Sequence, residues 1–218
     1  MEVKVFFVSD DKIKNQCYLV YDQQTGILID PAWDYELING FLLENKIVLK
    51  GVLLTHSHRD HVNLAPVFAE QHGVPVYMSA IEIEAYNFSC TNLIPAVHLE
   101  AIMISDFVIN PLVTPGHTLG STCYQVGPHC FTGDTIFVEG VGECKTIEET
   151  EALFDSVQFF KSYFPKDTLI WPGHSFGITT GKEMGYLLSH NLYFQINDKE
   201  MFIGFRMRKN RPNPLAFH

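Results

Sequence analysis

Paired cysteines are missing from this chain. Cys17, Cys90, Cys123, Cys130 and Cys144 are an odd set without CxxC spacing, which argues against a disulfide framework or a thiolate zinc knuckle and leaves free thiols. Basic residues are also scarce: 15 Lys and Arg stand against 25 Asp and Glu, a formal charge of -10. Nucleic-acid binding relies on concentrated positive charge, so no such partner is expected. No apolar run approaches the roughly 20 residues that cross a bilayer, and no membrane partner is expected. The opening MEVKVFFVSDDKIKN alternates charged and apolar residues, unlike the basic, apolar and small-residue succession of a signal peptide. The expected location is therefore the cytoplasm. No Gly-rich nucleotide loop, linker or low-complexity segment interrupts the sequence.

What is there reads as one domain over 1–218, since 218 residues with 46% hydrophobic content suffice for a single full core. Strands are expected at 3–8, 17–22 and 26–30, then a helix over Asp34–Asn45, the strand KGVLLTH, and a second helix and strand at 64–73 and 74–79. Short strands return at 101–104, 107–118, 121–126 and 129–138. The segment TIEETEALFDSVQFFKSYFP puts Leu153, Val157, Phe160 and Phe164 on one helical face, with Thr146 and Glu149 as a capping box. A last strand TLIWPGH and a helix from Lys182 to His190 lead into a short helical and basic C-terminal segment, which begins near residue 180. Strands flanked by helices in two halves predict an α/β arrangement of two mixed sheets face to face, with helices outside.

Residues 55–61 read THSHRDH, placing His56, His58, Asp60 and His61 at the end of the apolar run GVLL. TPGHT, FTGDT and IWPGH place His117, Asp134 and His174 in the same context, each just past a strand and a glycine. Gly116, Gly133 and Gly173 allow sharp turns, so several strand ends can aim side chains into one space. Alternation sends His56 and His58 one way and Asp60 and His61 another, which fits two metals better than one. Nitrogen and oxygen donors without thiolate suit zinc or similar divalent ions. His72, His98, His129, His190 and His218 carry no such pattern and read as ordinary surface or hydrogen-bonded histidines.

THSHRDH, PGHT, TGDT and PGH in that order resemble the metallo-β-lactamase superfamily, over residues 1 to about 195. The resemblance implies an αββα sandwich with metals at one edge between the sheets. It also implies two zinc ions per chain: His56, His58 and His117 at one site, Asp60, His61 and His174 at the other, and Asp134 bridging. FTGDTIFVEGVG and ITTGKEMGYLLSHNLYF are most similar to glyoxalase II within the superfamily, and the shorter chain more closely resembles the compact glyoxalase-II-like zinc hydrolases encoded among bacterial polyketide synthase genes. Three departures stand out. GVGECKT has Glu143 and Cys144 where glyoxalase II commonly has a Lys and a Tyr for glutathione, NLY replaces NPY, and GHTLGS replaces GHTPGS.

The implied chemistry is hydrolysis of an acyl thioester, with Asp60 and Asp134 as catalytic carboxylates that hold metal and orient the attacking hydroxide. Glu143 would repel a glutathione carboxylate. Arg206, Arg208, Lys209 and Arg211 supply a local concentration of positive charge, and a basic pair near the C-terminus of glyoxalase II assists thiol-carrier binding. The expected substrate is therefore an acyl group on phosphopantetheine or on an acidic acyl carrier protein in polyketide biosynthesis. Nothing beside Cys144 suggests an activating base for a thiol nucleophile. The alternatives are hydroxyacylglutathione hydrolysis and an iron-dependent persulfide dioxygenase, which would use chiefly His58, His117 and Asp134 and leave His61 and His174 idle. A β-lactamase would normally be exported, and a binding module with a decayed site would have lost ligands.

Overall fold

The computed structural model describes residues 1–10 and 12–208. Its first half comprises β1 (Glu2–Ser9), β2 (Lys14–Asp22), β3 (Thr25–Ile29), α1 (Tyr35–Glu44), β4 (Val48–Leu53), α2 (Arg59–Val62), α3 (Ala65–His72), β5 (Val76–Ser79), α4 (Ala80–Tyr86) and β6 (Leu93–Ala96). The second half comprises β7 (Ile102–Ile104), β8 (Phe107–Val113), β9 (Thr122–Val126), β10 (His129–Gly133), α5 (Ile147–Tyr163), β11 (Leu169–Pro172), β12 (Lys182–Glu183), α6 (Met184–His190), α7 (Leu192–Gln195) and α8 (Lys199–Arg206). Each half builds a six-stranded sheet, ordered β1-β2-β3-β4-β5-β6 and β12-β11-β10-β9-β8-β7. Both sheets are mixed. β3 through β6 run parallel, as do β10 and β11, whereas β1, β2 and β3 form an antiparallel meander and β7 through β10 another.

The two-residue period of the strands sorts side chains into layers. In β2, Cys17 and Leu19 join the outer core with Ile38 and Leu42 of α1 and Phe68 of α3, while Tyr18 and Val20 turn to the inner core. In the second sheet, Cys123 and Cys130 pack with Leu153, Val157 and Phe160 of α5 and with Phe202 of α8. Their neighbours Tyr124 and Phe131 meet Tyr18, Ile27 and Ile29 of the first sheet. Three apolar layers therefore separate four structural ones, the αββα sandwich that the resemblance implied. α5 has the expected capping box: Glu149 N–H donates to Thr146 Oγ1, and Thr146 N–H donates to the Glu149 carboxylate.

The departures from expectation have local causes. The strands expected over 50–56, 107–118, 129–138 and 168–174 stop at Leu53, Val113, Gly133 and Pro172, because the following residues leave the sheets as site loops. β6 contains Pro95, which weakens a strand signal, and it lies at the sheet edge where proline is tolerated. α4 was not expected, and α7 and α8 lie within the C-terminal segment expected to be helical, without individual bounds; α4 and α7 are only seven and four residues long. In α8, Phe202 and Ile203 are buried beside a run of charges that masks the helical pattern. The helix expected from Lys182 begins at Met184, after the two-residue β12.

Hydrogen bonds tie the sheets together along the rim that will hold the site. Thr122 N–H donates to Thr55 O at 2.9 Å, and Gln16 N–H donates to Gly173 O at 2.8 Å. The Tyr124 hydroxyl, from the second sheet, donates to Leu54 O at 3.1 Å. Gly133 has φ +49, and a Cβ there would lie 2.3 Å from Thr55 Oγ1, so both its turn and its closeness to the other sheet call for glycine. Among the described residues no helix is long and apolar enough to cross a membrane. Phe131 lies at the inter-sheet contact, fully buried, so Phe131→Ala is expected to destabilise the fold by about 3–5 kcal/mol. Chemical denaturation measures this, and a loss below about 1 kcal/mol would contradict close packing between the sheets.

Candidate metal centre

Five strand ends meet at one rim. β4 leads to Thr55 and His56, β8 leads to His117, β10 to Asp134, β11 to His174, and β3 to Asp30. His58 immediately precedes α2, the single turn of which carries Asp60 and His61. Three groups of donor atoms result, each within 4.8 Å: His56, His58 and His117; Asp60, His61 and His174; and His56, His61 and Asp134. These are the seven residues expected from the sequence. In the first group, His58 Nδ1 lies 3.1 Å from His56 Nε2 and 3.0 Å from His117 Nε2. Nitrogens around a tetrahedral zinc, with bonds of about 2.0–2.1 Å, would sit about 3.3–3.4 Å apart, so the spacing is close to what such an ion needs. In the second, His174 Nε2 is 3.4 Å and His61 Nε2 is 3.6 Å from Asp60 Oδ2. Asp134 stands between them: Oδ1 is 3.4 Å from His61 Nε2, and Oδ2 is 3.4 Å from His174 Nε2 and 3.7 Å from His117 Nε2.

Hydrogen bonds fix which ring nitrogen faces the centre. Thr55 Oγ1 donates to Asp30 Oδ2 at 2.6 Å, which uses its one proton, so at 3.1 Å it accepts from His56 Nδ1–H. His61 Nδ1–H donates to Asp30 Oδ2, His117 Nδ1–H to Glu143 O and His174 Nδ1–H to Lys14 O, at 2.9, 2.9 and 2.7 Å. Four imidazoles thus turn Nε2 toward the centre. His61 Nε2 and Asp134 Oδ1 are buried without a hydrogen-bond partner, a state that costs about 1–3 kcal/mol per group unless a cation satisfies them. The donor set fits divalent metal ions, and zinc in particular.

Burial, reinforced by neighbouring imidazoles, holds His56 and His58 below the ordinary histidine range, so they are neutral near pH 7. Burial also opposes a charge on His174, but the Asp134 and Asp60 carboxylates and the Lys14 carbonyl override it and push the pKa up to about 11. His61 is raised in the same way, by Asp134, Asp30 and Asp60 against burial. Burial would raise Asp60 and Asp134, yet the adjoining histidines hold both well below the usual carboxylate range.

Three supporting residues were not singled out in the sequence. Asp30 accepts Thr55 N–H, Thr55 Oγ1–H and His61 Nδ1–H, so one carboxylate orients a histidine of each group. Asn15 Nδ2 donates to Asp60 Oδ2 at 3.0 Å. Glu82, fully buried in α4, accepts Ser57 N–H and Oγ–H with one oxygen and Thr118 Oγ1–H and Gly120 N–H with the other, at 2.8–2.9 Å. It thereby clamps the loop of His56 and His58 to the loop of His117. Asp30 could have been found by the strand-end rule that marked Asp134, because LIDPA is also an apolar run ending in an acid; Glu82 has no such signal. Gly173 does not have the positive φ that a sharp turn would use. It is small because a Cβ would lie 2.5 Å from His61 Cε1 and 2.7 Å from Asp134 Oδ1.

The cluster floors a cleft of about 520 Å³. Of the substrate-binding residues expected from the sequence, Glu143, Arg206 and Arg208 line it, whereas Lys209 and Arg211 lie outside the described residues. Arg206 is not on a solvated basic face. It is only 5% exposed, donates from Nε to Gly142 O at 2.8 Å and packs over the Tyr193 ring. Arg208 is exposed and stacks on Phe205. The Cys144 thiol is buried, with its pKa pushed up to about 11 by that burial, which removes it as a nucleophile.

An αββα sandwich whose strand ends gather imidazoles and carboxylates at one rim defines a metalloenzyme class. The chain belongs to the metallo-beta-lactamase superfamily, whose family model matches residues 12–174. Two proteins named as probable polyketide biosynthesis zinc-dependent hydrolases are similar over 206 residues: BaeB of Bacillus velezensis at 42% identity and PksB of Bacillus subtilis at 43%. Each alignment covers 93% of this chain and 92% of the relative. A hydroxyacylglutathione hydrolase of Edwardsiella ictaluri is 31% identical over 72% of this chain, which spans 60% of that relative's length. Among solved structures, ETHE1 from Myxococcus xanthus superposes with a TM-score of 0.84 at 28% identity, covering 98% of this chain and 93% of that one.

Because the neighbouring carboxylates favour a proton on His174, and to a lesser extent on His61, zinc binding is expected to release a proton, and apparent affinity to rise with pH. Calorimetry in buffers of different ionisation enthalpy should show proton release at pH 7; binding without it would contradict the assigned protonation. Removing the Glu82 clamp by Glu82→Ala is expected to weaken zinc binding by about 10–100-fold. Competition with a chelator reads this directly, and an unchanged affinity would refute the role.

Proposed function

We propose that the chain is a zinc hydrolase with two ions per chain that cleaves acyl thioesters, its substrates being acyl groups on a carrier protein or pantetheine in polyketide biosynthesis. The observation that carries this reading is the near full-length similarity to BaeB and PksB, named as zinc-dependent hydrolases of that pathway. The gathered donors support the metal part of it, and the cationic wall of the cleft supports the carrier part.

Zinc held by the seven residues supplies Lewis acidity and makes hydroxide available near neutral pH. Asp60 is fixed by Asn15 and Asp134 is ringed by three histidines, so both stay ionised and directed at the donor cluster, where they would hold metal and orient the attacking water. Water adds to that carbonyl, the C–S bond breaks, and a carboxylic acid and a thiol are released. A thiolate leaves without general-acid help, which favours thioesters over amides. Lys145, Arg206 and Arg208 line the wall beside His117 and suit the phosphate of phosphopantetheine. Glu143 is exposed on that wall and disfavours a thiol that carries carboxylates, such as glutathione. The dioxygenase reading would leave His61 and His174 without a task, yet Asp30 and the Lys14 carbonyl orient both into the cluster.

Elemental analysis is expected to find close to two zinc ions per chain; a single iron, with oxygen uptake on a persulfide, would sink the reading. Asp134→Ala should cost more activity than loss of any single histidine and more than the about 10–100-fold of an outer-sphere change, and a loss of only a few-fold would contradict the shared ligand. On acyl carrier protein, Arg208→Glu should raise KM more than it lowers kcat, an effect that shrinks as salt rises. An unchanged KM at low salt would remove Arg208 from carrier binding.

A further inference from the structure

The two walls of the cleft differ in chemistry. Beside His117 stand Glu143, Lys145, Arg206 and Arg208. Beside His174 stand Phe137, with its ring centroid 6.2 Å from the His174 ring, and Phe176, 5.0 Å from Phe137, with Ile13 completing that side of the lining. A thioester lying over the cluster has a thiol arm on one side of its carbonyl and an acyl group on the other. If the cationic wall takes the phosphate of the arm, the aromatic wall faces the acyl group.

The aromatic wall is held rigidly. The loop carrying Phe137 closes through the Phe137 N–H to Gly140 O bond and the Ile136–Val141 bridge. Asn191, fully buried, donates from Nδ2 to both Phe137 O and Gly140 O, at 3.0 and 2.9 Å. Glu139 pins the facing loop: its Oε1 accepts Phe176 N–H at 3.2 Å and Ile178 N–H at 2.7 Å. Glu139 also lines the cleft, and its Oε2 is buried without a hydrogen-bond partner. The buried Asn191 and the half-buried Glu139 thus present two aromatic rings beside the metal cluster without ordering cost when a ligand arrives.

We infer that Ile13, Phe137 and Phe176 form an acyl pocket that selects apolar acyl groups of several carbons over acetyl and over short hydroxyacyl groups. This rests on the thioester reading of the same site and deepens it: the acyl part is chosen by apolar contact with one wall, and the carrier arm by charge at the other. Each methylene covered by the wall should favour binding by about 0.8 kcal/mol, or roughly fourfold.

The test uses straight-chain acyl phosphopantetheine thioesters from acetyl to octanoyl with the zinc-loaded protein, and in parallel the binding of S-alkyl phosphopantetheine thioethers, which cannot be hydrolysed. The expected result is a kcat/KM and an affinity that both climb with chain length until the wall is covered. Phe176→Ala and Glu139→Ala should each lower the octanoyl-to-acetyl ratio by about tenfold or more, the second by releasing the loop that holds the ring. Hydrolysis without chain-length preference, preference for a short hydroxyacyl group, or an unchanged ratio in both variants overturns the acyl pocket. Chain-length dependence in thioether binding with no thioester hydrolysis instead overturns the thioesterase reading and supports the pocket.

Discussion

Three carboxylates and five imidazoles crowd a rim where little water can reach, and their charges have to be balanced there. Without a cation, a proton on His174 contributes to the balance, and His61 Nε2 and Asp134 Oδ1 face each other at 3.4 Å, buried and without a hydrogen bond. A divalent cation would satisfy those groups and the ionised aspartates together. The rest of the structure follows from holding this cluster in place. The strands end where they do so that their next residues can reach it, and the two sheets are tied by backbone hydrogen bonds along the same rim. Asp30 carries much of the load: through Thr55 it turns His56, and directly it turns His61, so the two donor groups cannot move independently.

A site so enclosed from behind leaves selection to the open face. That face is a cleft with charge on one side and aromatic rings on the other. Arg206 links the two features, because its position on α8 lets it fix Gly142 while contributing to the cationic wall. The loop over 136–141 and α8 both contribute to this face.

The sequence reveals the donors because each sits directly after an apolar strand and a turn, so chemistry and local structure coincide within a few residues. It also reveals the layering, because strands flanked by helices recur in two halves, whereas the sorting of Cys17 from Tyr18 within the apolar β2 shows only in the fold. The supporting residues are less visible. Glu82 and Thr118 are 36 positions apart, and Asp30 and Thr55 are 25 apart, and no local pattern connects such partners. Arg206 looked like one member of a charge run, because α8 itself was hidden by that run. Phe137, Phe176 and Glu139 carry no such signal, because their loops are distant in sequence and meet only in the fold.

The central claim is that this metal cluster serves acyl groups delivered on a carrier. Its most direct test presents one acyl group on acyl carrier protein and on glutathione to the same zinc-loaded preparation and compares kcat/KM. The account predicts faster turnover of the carrier-bound form, lost when zinc is removed and regained when it is restored. Higher kcat/KM on glutathione, or equal activity in zinc-depleted protein, would contradict it.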